Sequence, residues 1–234
     1  MQKSDKKENY LFVATSVGLE VLLRVKTSEG VYKEFFEKME NNREASTHLL
    51  GMIDKVFGEA SKALGKKVDF ASLDCLGVCV GPGSFTGIRI GVSTLKAFAL
   101  AHGLCIVCIN TLQLLSYDGS EATKQGKDIA TKTKLCVVDG ANGVLYIARY
   151  KGQHCEMVPQ CIYASDFLRY KQEGDQVICD TQKTAETLGV AWREPASDQR
   201  IAQAMRCAKD LVAVEAVEPL YIRKAQPDRV GGDI

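Results

Sequence analysis

Tyr10–Val13 is a short apolar run, Thr15-Ser16-Val17-Gly18 reads as a turn, and Leu19–Val25 returns as a second run. Val31–Phe36 extends the same pattern, so the chain opens as three predicted strands. The period then changes. Leu49, Leu50, Ile53, Val56, Phe57, Ala60 and Leu64 recur near the 3.6 spacing of a helix, which predicts one over Thr47–Leu64. Ser46 or Thr47 is placed to cap its start, and Gly65-Lys66-Lys67 to end it with a glycine and positive charge at the negative end of the dipole. Leu73–Val80 is almost wholly apolar, as a strand covered on both faces would be. A second helix follows over Thr86–Ala101, closed by Gly103, and then a buried strand over Leu104–Ile109. This order predicts an α/β fold with a mixed sheet and flanking helices.

The second half repeats the opening. After a helix and polar connection over Thr111–Thr133, Lys134–Asp139 and Val144–Tyr150 flank Gly140-Ala141-Asn142-Gly143, a strong hairpin signal. Cys155–Tyr163 and Gln176–Cys179 are predicted strands. Ser165–Lys171, with Ser165 as cap, and Lys183–Leu188 are predicted short helices. Ser197–Val212 has the clearest helical period, with Ile201, Ala204, Met205, Ala208, Leu211 and Val212 on one face. Pro219–Lys224 reads as extended. Both halves begin strand–turn–strand, a sign of internal duplication.

Composition narrows the function classes. The 234 residues suffice for one large domain or two lobes, and 46% are hydrophobic. Thirty Lys and Arg against 29 Asp and Glu leave a net charge of +1, too balanced for a chain that grips nucleic acid alone. Nine cysteines, several within apolar runs, behave as reduced core residues rather than a disulfide framework. Met1–Asn9 has no apolar core of a signal peptide, and no apolar run approaches the roughly 20 residues of a membrane span. These features predict a cytoplasmic protein with no membrane partner.

The most distinctive segment is Gly81-Pro82-Gly83-Ser84-Phe85-Thr86-Gly87, between a predicted buried strand and a helix. Two readings stand. Free N–H groups at the helix start could cradle a phosphate. Alternatively the loop is a tight turn capped by Ser84 or Thr86, whose glycines admit a neighbouring backbone. It is neither a Walker A loop, since no Lys occurs before Lys96, nor a nucleophile elbow, since Pro82 and Thr86 flank Ser84 where glycines are required. A dinucleotide fingerprint misses its third glycine at Thr86, and the following strand ends at Ile109-Asn110 without a carboxylate. A dinucleotide-dependent oxidoreductase is therefore a distant alternative.

Extended to GPGSFTGIRIGVSTLKAFAL, the segment resembles the signature of the bacterial TsaB (YeaZ) family, partner proteins in forming threonylcarbamoyladenosine on tRNA. Tyr10–Ser16 is similar to the family's opening strand and turn. Ser46-Thr47-His48-Leu49-Leu50 resembles the start of its first helix. Val137–Ala141 with Leu145-Tyr146 resembles its second-lobe hairpin, and Pro219–Arg223 its Pro-x-Tyr-Leu-Arg ending. The resemblance implies an actin-like (ASKHA, ribonuclease H-like) two-lobed fold. It places residues 10–115 and 197–222 in one lobe, residues 130–196 in a smaller one, and residues 1–9 and 225–234 in tails. It implies a non-catalytic subunit that activates a TsaD-like transferase acting on adenosine 37, with a TsaE-like ATPase as further partner, a homodimer when alone, and tRNA reached only through the complex. No tightly bound cofactor is expected, with ATP or ADP at the heterodimer interface. Thr15, Ser16, Gly81, Gly83 and Ser84 are the candidate nucleotide contacts. His48, Leu49, Met52, Gly87, Gly91 and Thr94 are the candidate partner contacts, on a bundle of the first two helices.

Ala14 stands where many relatives carry Asp, the carboxylate that organises a metal near the phosphates in actin-like ATPases. His48, His102 and His154 make no helical metal pair. Both points argue against the alternative of an ATPase, kinase or glycoprotease-like hydrolase. Thr15 and Ser16 can serve a phosphate or their own turn, and Asp139 a former nucleotide site or its own turn. Cys105 and Cys108, three apart on a strand, face opposite sides and read as core. Arg223, Lys224 and Arg229 form a basic tail, either solvated or in contact with phosphate within a complex.

Overall fold

The computed structural model describes residues 7–40, 44–117, 132–194, 197–208 and 210–222. Strands β1 (Tyr10–Ala14), β2 (Leu19–Lys26) and β3 (Tyr32–Met39) form an antiparallel meander. Helix α1 (Ala45–Leu64) leads to β4 (Cys75–Cys79), which lies parallel to β1. Helix α2 (Phe85–His102) returns the chain to β5 (Cys105–Ile109), parallel to β4. The first sheet thus has the order β3-β2-β1-β4-β5. Its antiparallel half rules out the doubly wound parallel sheet of a dinucleotide-binding domain.

After α3 (Thr111–Ser116) comes the second sheet. It comprises β6 (Thr133–Asp139), β7 (Val144–Lys151), β8 (His154–Tyr163) and β9 (Gln176–Cys179) in the order β8-β7-β6-β9, with β9 parallel to β6. Helices α4 (Phe167–Tyr170), α5 (Gln182–Leu188) and α6 (Ser197–Cys207) are the remaining α-helices among the described residues.

Burial explains the sequence pattern. β1 and β4 are buried at every position because both faces of the first sheet are covered. Leu11 and Val13 point to the layer holding Leu49, Ile53 and Val56 of α1 and Ile88, Val92 and Leu95 of α2. Tyr10, Phe12 and Ala14 point the other way, to Leu114 of α3 and Ile201, Ala204 and Met205 of α6. Each such large side chain contributes about 1.5–3 kcal/mol when fully buried. Helix α3 is shared between the two sheets. Leu114 belongs to the first sheet's core, while Leu112 and Leu115 pack with Cys136, Val138, Ala148 and Tyr150 of the second. Lys134 extends its ammonium to Ser116 O at 2.7 Å, adding a polar tie at the end of α3.

Three local expectations are corrected. Helix α1 begins at Ala45, two residues earlier than the polar signal suggested, and has no side-chain cap. Ser46 and Thr47 lie inside it because Ala45 is already buried under the sheet. Ser165 caps nothing: residues Ala164–Asp166 form a 3-10 turn that runs into α4. Helix α6 stops at Cys207, although its period continues to Val212. Val212 instead pairs with Ile106 on the open edge of β5, through backbone bonds of 2.7 and 3.1 Å, so a tertiary hydrogen-bond partner overrides the local period. The polar connection over 118–131, the Arg223, Lys224 and Arg229 tail, and most of both predicted tails lie outside the described residues.

Candidate functional site

The glycine loop meets the β1–β2 turn. Ser84 N donates to Ser16 O at 2.7 Å, and Ser84 Oγ accepts from Gly87 N at 3.2 Å, capping α2. A Cβ at Gly83 would lie 2.3 Å from Ser16 O, at Gly87 2.1 Å from Thr15 O, and at Gly91 2.4 Å from Thr15 Oγ1. All three glycines are therefore required by one close approach of the turn to the start of α2. Of the two readings of the loop, the tight turn that admits a neighbouring backbone is the one realised: the peptide that meets Ser84 N–H is the chain's own.

Behind the turn lies a buried polar triad. Thr111 Oγ1 donates to Ser16 Oγ at 3.0 Å, and Cys79 Sγ sits 3.4 Å from Ser16 Oγ and 3.3 Å from Thr111 Oγ1. Burial pushes the Cys79 thiol up, so it stays protonated at neutral pH and can donate within the triad rather than act as a nucleophile. Thr111 N also donates to Gly81 O at 2.8 Å, and Leu220 N to Val80 O at 2.7 Å, so the loop is bonded on several sides.

In front of the turn, a cavity of about 270 Å³ opens between the two sheets. Of the five candidate nucleotide contacts, Ser16 lines it, while Thr15, Gly81, Gly83 and Ser84 do not. Sequence reasoning missed its charged lining. Arg200 of α6 holds Glu20 of β2 through one nitrogen, at 2.8 and 3.0 Å from the two carboxylate oxygens. Lys38 of β3 bridges Glu40 at 2.7 Å and Glu194 at 3.1 Å. Asp180, just after β9, accepts from Asp139 N at 3.0 Å, and burial raises its pKa above the ordinary carboxylate range. Asp139 thus serves its own hairpin, accepting from Ala141 N at 2.8 Å.

A magnesium nucleotide fits this cavity poorly. Ala14 lines it where a metal-organising carboxylate would stand, and both cations, Lys38 and Arg200, are already paired. Among the described lining residues, four carboxylates against two cations repel a polyphosphate. The volume also falls below the roughly 300–1,000 Å³ typical of ligand sites. Among the described residues, no group of three His, Cys, Asp or Glu side chains is placed to hold a metal ion.

The candidate partner contacts divide as well. Leu49 and Met52 belong to the core of the first sheet, and Gly87 and Gly91 are buried against Thr15. These four are corrected from outward-facing to internal positions, because the helical stripe they share is the one the sheet covers. His48, paired with Glu44 at 3.1 Å, and Thr94 remain partly exposed. The exposed apolar groups of the two helices are instead Leu50 (54% exposed) on α1, and Phe85 (42%) and Leu100 (64%) on α2. Arg89 lies 3.8 Å over the Phe85 ring and donates to Tyr221 Oη at 3.0 Å, fastening the C-terminal segment to α2. Arg89 and Tyr221 lie in the two segments that carry the family resemblance, but nothing in the sequence signals that they meet.

Two mixed sheets with the same core strand order, helices on their faces and a cleft between them define a two-lobed actin-like α/β protein. Two solved structures from Pseudomonas aeruginosa share the fold. One is an uncharacterized protein with similarity to peptidase YEAZ, at TM-score 0.63, 18% identity, and 92% and 100% coverage of the two chains. The other is YeaZ, at TM-score 0.62, 17% identity, and 92% and 99% coverage. A family model described as TsaD, tRNA N6-adenosine threonylcarbamoyltransferase, matches residues 39–209, and the chain belongs to that family. The threonylcarbamoyltransferase of Geobacillus kaustophilus is 41% identical over 66 residues, covering 28% of this chain and 19% of the enzyme. That of Caulobacter vibrioides is 34% identical over 90 residues, covering 38% and 23%. The chain thus spans only about a fifth of the curated transferases it matches. With the tRNA threonylcarbamoyladenosine biosynthesis protein TsaB of Escherichia coli it is 27% identical over 204 residues, covering 77% of this chain and 81% of TsaB. The resemblance to the TsaB (YeaZ) family therefore holds along most of the chain. No helix among the described residues is long and apolar enough to cross a membrane.

Proposed function

We propose that this chain is the non-catalytic partner subunit required for threonylcarbamoyl transfer to adenosine 37 of tRNA, activating a TsaD-like catalytic subunit. The observation that carries this reading is the similarity to E. coli TsaB over 77% of this chain and 81% of TsaB, against short matches to the transferases. The site supports it. The amide at the head of α2 is bonded to the turn, the cleft repels polyphosphate, and the Cys79 thiol is held protonated.

In this reading the TsaD-like subunit docks on the outward faces of α1 and α2, where Leu50, Phe85 and Leu100 are exposed beside His48 and Thr94. The same face closes a homodimer when the chain is alone. A TsaE-like ATPase joins the pair, ATP or ADP sits at the heterodimer interface rather than in the cleft, and tRNA is reached only through the complex. The work is done in the cytoplasm.

Reconstitution of adenosine modification with and without this chain tests the proposal. Full modification in its absence would overturn it. Leu50→Glu with Leu100→Glu should abolish co-purification with the TsaD-like subunit while leaving the circular dichroism of the chain intact. ATP turnover by the isolated chain, lost on Ser16→Ala, would favour the hydrolase alternative instead.

A further inference from the structure

The strand orders β3-β2-β1-β4-β5 and β8-β7-β6-β9 are the same up to the last position. In the first sheet β5 lies beside β4. In the second, no described strand lies on the outer side of β9. A groove of about 420 Å³ runs there instead, between β9 and the segment Gly189–Arg193. Consecutive residues line both walls, Gln176 to Cys179 on one side and Gly189 to Arg193 on the other. Such lining is that of a strand seen edge-on, since a strand seen face-on would offer alternate residues.

The register fixes which backbone groups face this groove. Asp180 N donates to Val137 O at 3.0 Å, and Ile178 lies opposite Cys136. Even-numbered residues of β9 therefore turn their N–H and C=O groups to β6, and Val177 and Cys179 turn theirs to the groove. The Val177 and Cys179 side chains point into the lobe's own core with Val190 and Trp192, so what the groove receives from these two residues is main chain. Lys171 and Arg193 are exposed at its rim, and neither has an ion pair among the described residues. Among the described residues the one carboxylate in the lining is Asp175, held by Arg149 at 3.0 Å and by Gln172 N at 2.9 Å.

We propose that this groove receives an extended, acidic peptide segment of a partner protein as a strand added beside β9. Main-chain hydrogen bonds to Val177 and Cys179 supply the pairing, and Lys171 and Arg193 select negative charge. The proposal is independent of the TsaD-like docking face, which lies on α1 and α2 of the other sheet.

Trp192, the chain's only tryptophan, lines both this groove and the cleft between the sheets, so its fluorescence is read together with amide exchange at Val177 and Cys179. The full chain is titrated with acetylated Glu-Val-Glu-Val-Glu-Val amide, with the Lys-Val counterpart, and with a version N-methylated at alternate residues. The acidic peptide should shift Trp192 emission saturably and slow hydrogen exchange at the Val177 and Cys179 amides. The basic and N-methylated peptides should not bind measurably. Lys171→Glu with Arg193→Glu, both at exposed positions, should weaken the acidic peptide about tenfold. Absence of Trp192 and amide responses to the acidic peptide would overturn the proposal. Equal binding of the acidic and basic peptides would also overturn it, as would concentration-dependent protection of Val177 and Cys179 in peptide-free protein, since that would make a second copy of the chain the occupant.

Discussion

In the first sheet β3, β2, β1 and β4 lie side by side, and in the second β8, β7, β6 and β9 repeat that order, with the same parallel pairing at the end. The two turns that head these sheets are treated differently. Thr15 and Ser16 are buried and pressed against Gly83, Gly87 and Gly91 at the start of an 18-residue helix. The corresponding turn at Gly140–Gly143 is held by its own Asp139 and by Asp180, and a seven-residue helix follows β9. Duplicated topology therefore does not mean duplicated sites. Here one turn is sealed by backbone contact, and both sit beside carboxylates.

The sharpest way to separate the lobes is through their buried ion pairs. Arg149 and Asp175 are 9% and 1% exposed in the second lobe. Asp175→Ala leaves a buried guanidinium without its carboxylate and should cost about 4 kcal/mol, read by urea denaturation. Next is the sealed turn. Gly87→Ala puts a methyl 2.1 Å from Thr15 O, a backbone atom that cannot swing away, and should cost about 3 kcal/mol. The same experiment weighs Gly87 as a position the fold requires against the sequence-based expectation of a partner contact. The control is Gly143→Ala in the second turn. Gly143 has φ +72° and open space around it, so only backbone strain of about 1 kcal/mol is expected. Equal losses at the two glycines would break the contrast.

The smallest effect is on pH. Burial, the largest cause, holds the folded Asp180 pKa above that of the unfolded chain. The folded state then keeps this proton more tightly, so its contribution to stability falls as pH rises from the ordinary carboxylate range through the raised value. Asp180→Asn should flatten the stability profile across that window and leave the profile above it parallel to the parent's. An unchanged slope would mean that Asp180 titrates normally.

Much of the fold was legible because burial is written into apolar runs. Leu73–Val80 and Leu104–Ile109 could be read as covered strands without any coordinates, and Gly65 and Gly103 marked helix ends that the structure keeps. The site was less legible. Glu20 and Arg200 are 180 positions apart, and nothing local signals that they meet. Helical spacing placed Leu49, Met52, Gly87 and Gly91 on one stripe each, but a stripe of small and apolar residues looks the same whether it faces its own sheet or a partner. The outward residues Leu50, Phe85 and Leu100 emerge only once the sheet has claimed the other face.

The sequence by itself determined the class of fold, the repeated strand–turn–strand opening and the likeness carried by Gly81–Gly87, because these depend on periodicity and on local backbone freedom. Tertiary structure alone decided what that loop does. Its Gly83 and Gly87 are there for the backbone of Thr15 and Ser16, which must come within a Cβ's reach of α2, and such an approach between segments some 70 residues apart is set by packing of the whole lobe.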